Sequence, residues 1–203
     1  MAESILANDD NFKHSKNDYD WLGSGTYFWE ANPARGLEFA YELQKRRRDI
    51  NEPYVIGAVI DLGYCLDLMS STGLKAVQSS FDELKATFQA ASKEMPVNEM
   101  GDDLLLRRLD CAVINYLHGM QHRMKQQEFQ TVKGVFVEGD AAYPGAGFKA
   151  KTHIQICVRD LQCIKGVFRV PPDQLESFTA PATPDSSRAG ASPRASPPTS
   201  GNR

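Results

Sequence analysis

From residue 152 to residue 159 the chain alternates without a break. Thr152, Ile154, Ile156 and Val158 fall on one side, and His153, Gln155, Cys157 and Arg159 on the other, because successive strand residues point to opposite faces. The pattern predicts a β-strand with one apolar face set on a core and one polar face available for other work. It is the middle member of three strand-like segments, with residues 132–137 before it and 164–170 after it.

The first two-thirds of the chain follow a different period. Asn32-Pro33 offers an N-cap and an N1 proline for a helix running to about Arg48, whose basic end suits the helix dipole. Leu74, Val77, Phe81, Leu84 and Phe88 form one apolar stripe of a second helix that Ser71 or Thr72 can cap. A third helix is expected over residues 103–123, with Leu106, Leu109, Val113, Leu117 and Met120 on one face. Residues 54–62 are almost continuously apolar and predict a central strand. Helices first and strands mainly last imply a mixed α+β domain with a largely antiparallel sheet.

Composition changes near Pro171-Pro172. Residues 179–203 contain no Val, Ile, Leu, Met, Phe, Trp or Tyr, so they cannot offset their ordering entropy by burial. The expected organisation is one domain over residues 1–175 and a disordered Pro/Ser/Ala-rich tail over 176–203. Arg188 and Arg194 give that tail a weak handle for a polyanion, although a solvated tail explains them too. A net charge of −3 supplies no global attraction for nucleic acid or anionic membrane. No apolar run reaches the length of a bilayer span, no signal-peptide pattern is present, and the four cysteines form no CxxC pair. These features predict a cytoplasmic protein with reduced thiols.

Residues 21–29 read Trp-Leu-Gly-Ser-Gly-Thr-Tyr-Phe-Trp. Gly23 and Gly25 allow close backbone approach, and the adjoining aromatics offer flat faces. The segment is either a floor for a planar ligand or a tight turn feeding a buried aromatic strand. It lacks the Lys-Ser/Thr of a P-loop and the third glycine of a dinucleotide fingerprint. His118 and His122 stand at a zinc-compatible i, i+4 spacing, but no third ligand is evident, so no metal site is assigned. Cys157 has Arg159 on its face and could be an activated thiolate or a structural thiol. His153 and Gln155 share a polar face suited to orienting a ribose hydroxyl or an amide; a solvated sheet face is the other reading.

Leu22-Gly23-Ser24-Gly25-Thr26-Tyr27-Phe28, followed by a helix with Ala34, Phe39 and Tyr41, resembles the NAD-binding segment of ADP-ribosyltransferases, in particular the poly(ADP-ribose) polymerase-like and bacterial toxin-like branch. Gln155-Ile156-Cys157-Val158-Arg159-Asp160 resembles the late strand that carries the catalytic glutamate there. The resemblance covers the ordered chain and is similar to that of small bacterial members of the superfamily. It implies a split antiparallel sheet with flanking helices, and NAD as co-substrate. Tyr27 would stack on the nicotinamide, and Trp21, Gly23 and Gly25 would complete the binding segment. Phe39 or Tyr41 would cover the other face of the ring. Gln155 would occupy the glutamate's place, with His153 two residues before it. The segment from Glu138 to Lys151 would meet the acceptor, a protein or a nucleic acid.

Two departures accompany the resemblance. Glutamine brings no charge to the position of the glutamate, which disfavours chain elongation and leaves mono-ADP-ribosyl transfer, slow NAD hydrolysis or binding. The family's first triad residue lies on an initial strand ahead of a helix similar to Ala2–Leu6, so the fold is expected to lack its first strand here, most simply because Met1 is a late start. The expected function is an NAD-dependent mono-ADP-ribosyltransferase. The alternative is a catalytically inactive module of the same fold that binds ADP-ribose, RNA or a protein. An RNA phosphotransferase of related fold would need a basic pocket, against which the acidic Asp18/Asp20 neighbourhood argues.

Overall fold

The computed structural model describes residues 2–7, 12–46 and 50–175, so the tail over 176–203 lies outside the described residues. In chain order the elements are α1 (Ala2–Leu6), β1 (Thr26–Trp29), α2 (Pro33–Arg46), β2 (Ile56–Ile60), β3 (Cys65–Asp67), α3 (Ser71–Ala90), β4 (Asn98–Glu99), β5 (Leu106–Arg107), α4 (Arg108–Arg123), β6 (Thr131–Phe136), β7 (His153–Val158) and β8 (Ile164–Arg169). The architecture is mixed α+β. A four-stranded sheet has the order β1-β7-β6-β3, and β2 pairs with β8 in a separate two-stranded sheet. Among the described residues every strand pairing is antiparallel except β3 with β6, which is parallel.

The alternating segment, β7, lies inside the main sheet and carries both layers of core. Ile156 and Val158 pack with Phe28, Ile60, Leu62, Cys163 and Ile164 between the two sheets. On its opposite face Cys157 joins Leu22, Leu66, Ile114, Val132 and Phe136, with Val77 and Leu117 of the helices packed against them. The strand therefore buries both of its faces, one between sheets and one against helices, which is why even its polar residues are largely enclosed.

Three expectations are corrected. The apolar run over 54–62 is not a central strand: β2 pairs only with β8, and Val59 is 57% exposed. Gly57 draws β8 close, since a Cβ there would stand 2.2 Å from the Phe168 ring. In α3 the cap is Ser70, whose hydroxyl accepts the Gly73 N–H; the stripe holds at Val77, Phe81, Leu84 and Phe88, all buried or half-buried, but Leu74 is 54% exposed and Gly73 and Ser80 join the buried face. Small residues let the helix approach its neighbours, with Gly73 under the Asp67 carbonyl and the Ser80 hydroxyl donating to the Val113 carbonyl. α4 starts at Arg108 rather than 103, because β4 and β5 form a short hairpin first. The Asn98 side-chain oxygen then accepts the N–H groups of Leu109 and Asp110, capping α4 from outside its own segment.

α2 follows its sequence signals. Asn32 Oδ1 accepts the Arg35 N–H at 3.1 Å, as an N-cap should. Among the described residues no helix is long and apolar enough to cross a membrane.

Candidate functional site

The pairing of β1 with β7 brings the two sequence motifs into contact. Tyr27 is the cross-strand partner of Cys157, and Trp29 of Gln155. Side chains alternate, so Tyr27 and Trp29 share a face with Cys157, Gln155 and His153, while Phe28 and Ile156 lie on the other.

The glycine pair shapes the turn that delivers this strand. Gly23 has φ +77°, a left-handed conformation, and a Cβ there would stand 2.9 Å from both Asn115 Oδ1 and Ile114 Cγ2. Gly25 runs along β7 so closely that a Cβ would meet Cys157 Sγ at 2.4 Å and the Val158 carbonyl at 2.8 Å. Asn115 accepts the Ser24 N–H at 3.0 Å, and Arg159 donates to the Ser24 carbonyl at 2.8 Å. The Tyr27 hydroxyl accepts the Leu22 N–H and donates to the Gly23 carbonyl, and its ring packs on the core. Burial, then the neighbouring Cys157, push the Tyr27 phenol well above its usual range; burial likewise raises the Cys157 thiol to about 12. A thiol so placed is a structural one, not a nucleophile. Both glycines are thus required by the chain's own packing.

His153 and Gln155 are bonded to each other. The His153 side chain is 1% exposed, and its Nδ1 lies 2.7 Å from the Lys151 carbonyl. Gln155 Nε2 lies 2.9 Å from His153 Nε2. The imidazole sits in an aromatic row: its centroid is 5.6 Å from Phe136 and 6.4 Å from Trp29, Phe136 is 4.5 Å from Trp21, and Trp29 is 5.0 Å from Phe39. Arg107 caps the row, its guanidinium carbon 3.8 Å from the Trp21 ring centre. Trp21 Nε1 donates to the Leu105 carbonyl at 3.2 Å.

Behind His153 stands a buried ion pair that no local sequence pattern signals. Glu138 Oε2 is 3.6 Å from Arg35 Nη2 and 4.0 Å from His153 Nδ1. Arg35 also faces Glu42, which Lys151 binds at 2.9 Å. Burial alone would raise the Glu42 carboxyl, yet Lys151 and Arg35 hold it below its ordinary value. These contacts tie α2 to the base of the 138–151 segment. That segment closes on itself through Lys151 N–H to the Glu138 carbonyl and Ala142 N–H to the Phe148 carbonyl, presenting Tyr143 and Phe148 58% and 72% exposed.

Beside the site lies a mostly apolar cleft of about 690 Å³, bordered by β1, α2, β2 and β8. Phe39, Phe28, Trp29 and the Tyr27 position line it; Tyr41, half exposed, does not. Trp29 therefore touches both the cleft and the His153 group. Its indole N–H is buried without a partner among the described residues.

His118 and His122 do not converge. His118 is buried with Nδ1 on the Ile114 carbonyl, while His122 is exposed and pairs with Glu128. Among the described residues no three His, Cys, Asp or Glu side chains are grouped to hold a metal ion.

No family model, curated protein or solved structure matches this chain at a significant level.

Proposed function

We propose that this chain is an NAD-dependent mono-ADP-ribosyltransferase that passes ADP-ribose to a protein or nucleic-acid acceptor and releases nicotinamide. The observation that carries the proposal is the register Trp29 opposite Gln155. It sets the Gly-x-Gly-x-Tyr-Phe segment beside the late strand, with Tyr27, Trp29 and Gln155 on one face, which supports the resemblance to ADP-ribosyltransferases. The apolar cleft that Trp29 also borders, lined by Phe28 and Ile156 from the opposite face of β1 and β7 and not by Gln155, falls within the range of small-molecule sites. Trp29 and Phe39 offer flat faces there for a planar group.

In this reading Gln155 accepts a hydrogen bond from the nicotinamide ribose hydroxyl. The bond between ribose and nicotinamide breaks, nicotinamide leaves, and the acceptor nucleophile bonds to the ribose carbon as it loses its proton. Glutamine offers no charge to the developing oxocarbenium-like centre, which supports single transfer at a modest rate. His153 is enclosed, so it acts through Gln155. Tyr27 contributes its ring, because its hydroxyl is committed to the Leu22–Gly23 turn.

A second reading is a catalytically inactive module of the same fold that binds ADP-ribose, RNA or a protein partner. The uncharged Gln155 and the internally bonded Tyr27 hydroxyl favour it. The deciding experiment incubates the full chain with NAD and follows nicotinamide release and ligand binding together, with Gln155→Leu as the control. Release that disappears in Gln155→Leu supports the transferase. Binding of NAD or ADP-ribose without release supports the module. Neither binding nor release overturns the NAD assignment.

A further inference from the structure

The His153–Gln155 contact has a defined polarity. His153 Nδ1 stands 2.7 Å from the Lys151 carbonyl, an acceptor with no proton to give, so Nδ1 carries the ring proton and donates. Glu138, 4.0 Å from the same nitrogen, adds negative charge on that side of the ring, and Arg35 at 3.6 Å holds the carboxylate in place. In the neutral ring Nε2 is then a bare lone pair. Gln155 lies 2.9 Å away and must turn its NH2 toward it, because the reverse rotamer would set oxygen against nitrogen lone pair.

We infer that His153 is a positioning residue which, with its proton held on Nδ1 by the Lys151 carbonyl and Glu138, fixes the Gln155 amide so that Oε1 is turned away from the imidazole and left free to accept. Gln155 is thereby an acceptor and selects a hydroxyl donor, not a carbonyl or phosphate oxygen. The chain Glu138–His153–Gln155 runs from the base of the 138–151 segment to the Gln155 amide on β7, so the same contacts that anchor that segment set the polarity of that amide. This rests on the transferase reading for the identity of the hydroxyl, a ribose hydroxyl of NAD, but the amide polarity itself does not require NAD.

The test begins with the ligand-free full chain, labelled with nitrogen-15 in its histidine rings and read by two-bond proton–nitrogen correlation. His153 is recognised by its contacts to the Phe136 ring. The expected result is a ring protonated at Nδ1 and bare at Nε2. A proton on Nε2 in the wild-type chain would overturn the inference. The second arm uses Gln155→Glu, which replaces the donating NH2 with an acceptor. His153 should then take up a proton at Nε2 and become an imidazolium; an unchanged ring would overturn it as well. The third arm is nicotinamide release from NAD. His153→Leu, checked for folding by thermal melting, should lower kcat about tenfold with a much smaller change in KM, as expected for one lost orienting hydrogen bond. An unchanged kcat in a folded variant would count against positioning. If the two spectroscopic arms hold and NAD does not bind, the transferase reading fails while the assignment of Gln155 as an outward acceptor stands.

Discussion

The Tyr27 hydroxyl closes on the carbonyl of Gly23 at 2.6 Å while accepting the N–H of Leu22 at 2.9 Å, so one phenol satisfies both polar ends of the glycine turn. Tyr27→Phe keeps the ring and strands both backbone groups. The loss expected is about 1–3 kcal/mol, the cost of leaving a buried donor or acceptor unmade. Urea unfolding of the two proteins measures it, and equal midpoints would show that water replaces the hydroxyl.

Gly25 has no room for a methyl group. Gly25→Ala drives Cβ against Cys157 Sγ and the Val158 carbonyl, and should cost about 1–3 kcal/mol or more through overpacking. Adding Cys157→Ala removes the sulfur but not the backbone, so the double variant should recover only part of the loss. Full recovery in denaturant melts would place the whole constraint on the side chain.

Arg35 and Glu138 are both enclosed, at 9% and 11% side-chain exposure. Arg35→Met leaves the carboxylate without that partner and should cost about 3–5 kcal/mol. Glu138→Gln in the same background should restore much of it, because no buried charge remains uncompensated. A double-mutant cycle by thermal or chemical unfolding reads the coupling, and additive losses would show that the pair is not coupled.

His118 is 2% exposed, and burial lowers its pKa from 6.5 to about 4. The unfolded chain binds the proton first as pH falls, so stability is complete above pH 6.5 and declines on acidification toward about pH 4. The decline attributable to this residue is about 3 kcal/mol. His118→Gln should flatten the pH dependence of unfolding across that window while leaving the rest of the curve in place. An unchanged slope would mean that other groups govern it.

The transferase reading makes its own prediction at Trp29, which touches both the cleft and His153. Trp29→Leu should weaken NAD binding about tenfold or more by removing one flat face of the site, with Tyr41→Ala, outside the cleft, as the neutral comparison. Equal NAD affinities by calorimetry would exclude the cleft as the site.

Much of the fold is written in short-range pattern. The alternation over 152–159 corresponds to β7 (His153–Val158), although the face read as polar and open is enclosed at His153 and Cys157, the Asn32-Pro33 signal corresponds to α2, and the periodic stretches correspond to α3 and α4. These are legible because backbone geometry imposes periods of two and 3.6 on neighbouring residues, and caps act within one turn. The readings that needed revision depend on what lies across the fold. The burial of Gly73 and Ser80 in α3 depends on their meeting Asp67 and Val113, and the start of α4 on the side chain of Asn98. β2 reads as central because it is apolar throughout, but pairing partners are not encoded in a strand's own composition.

The candidate site divides the same way. His153 and Gln155 could be singled out from residue types and spacing, and Tyr27 from the family resemblance of its segment. That Gln155 lies opposite Trp29, that Asn115 and Arg159 pin the glycine turn, and that Glu138 and Arg35 stand behind His153 were decided only by tertiary structure. The physical reason is range: a sequence pattern registers interactions between residues a few positions apart, whereas the orientation of an amide is set by whichever distant groups the folded chain packs around it.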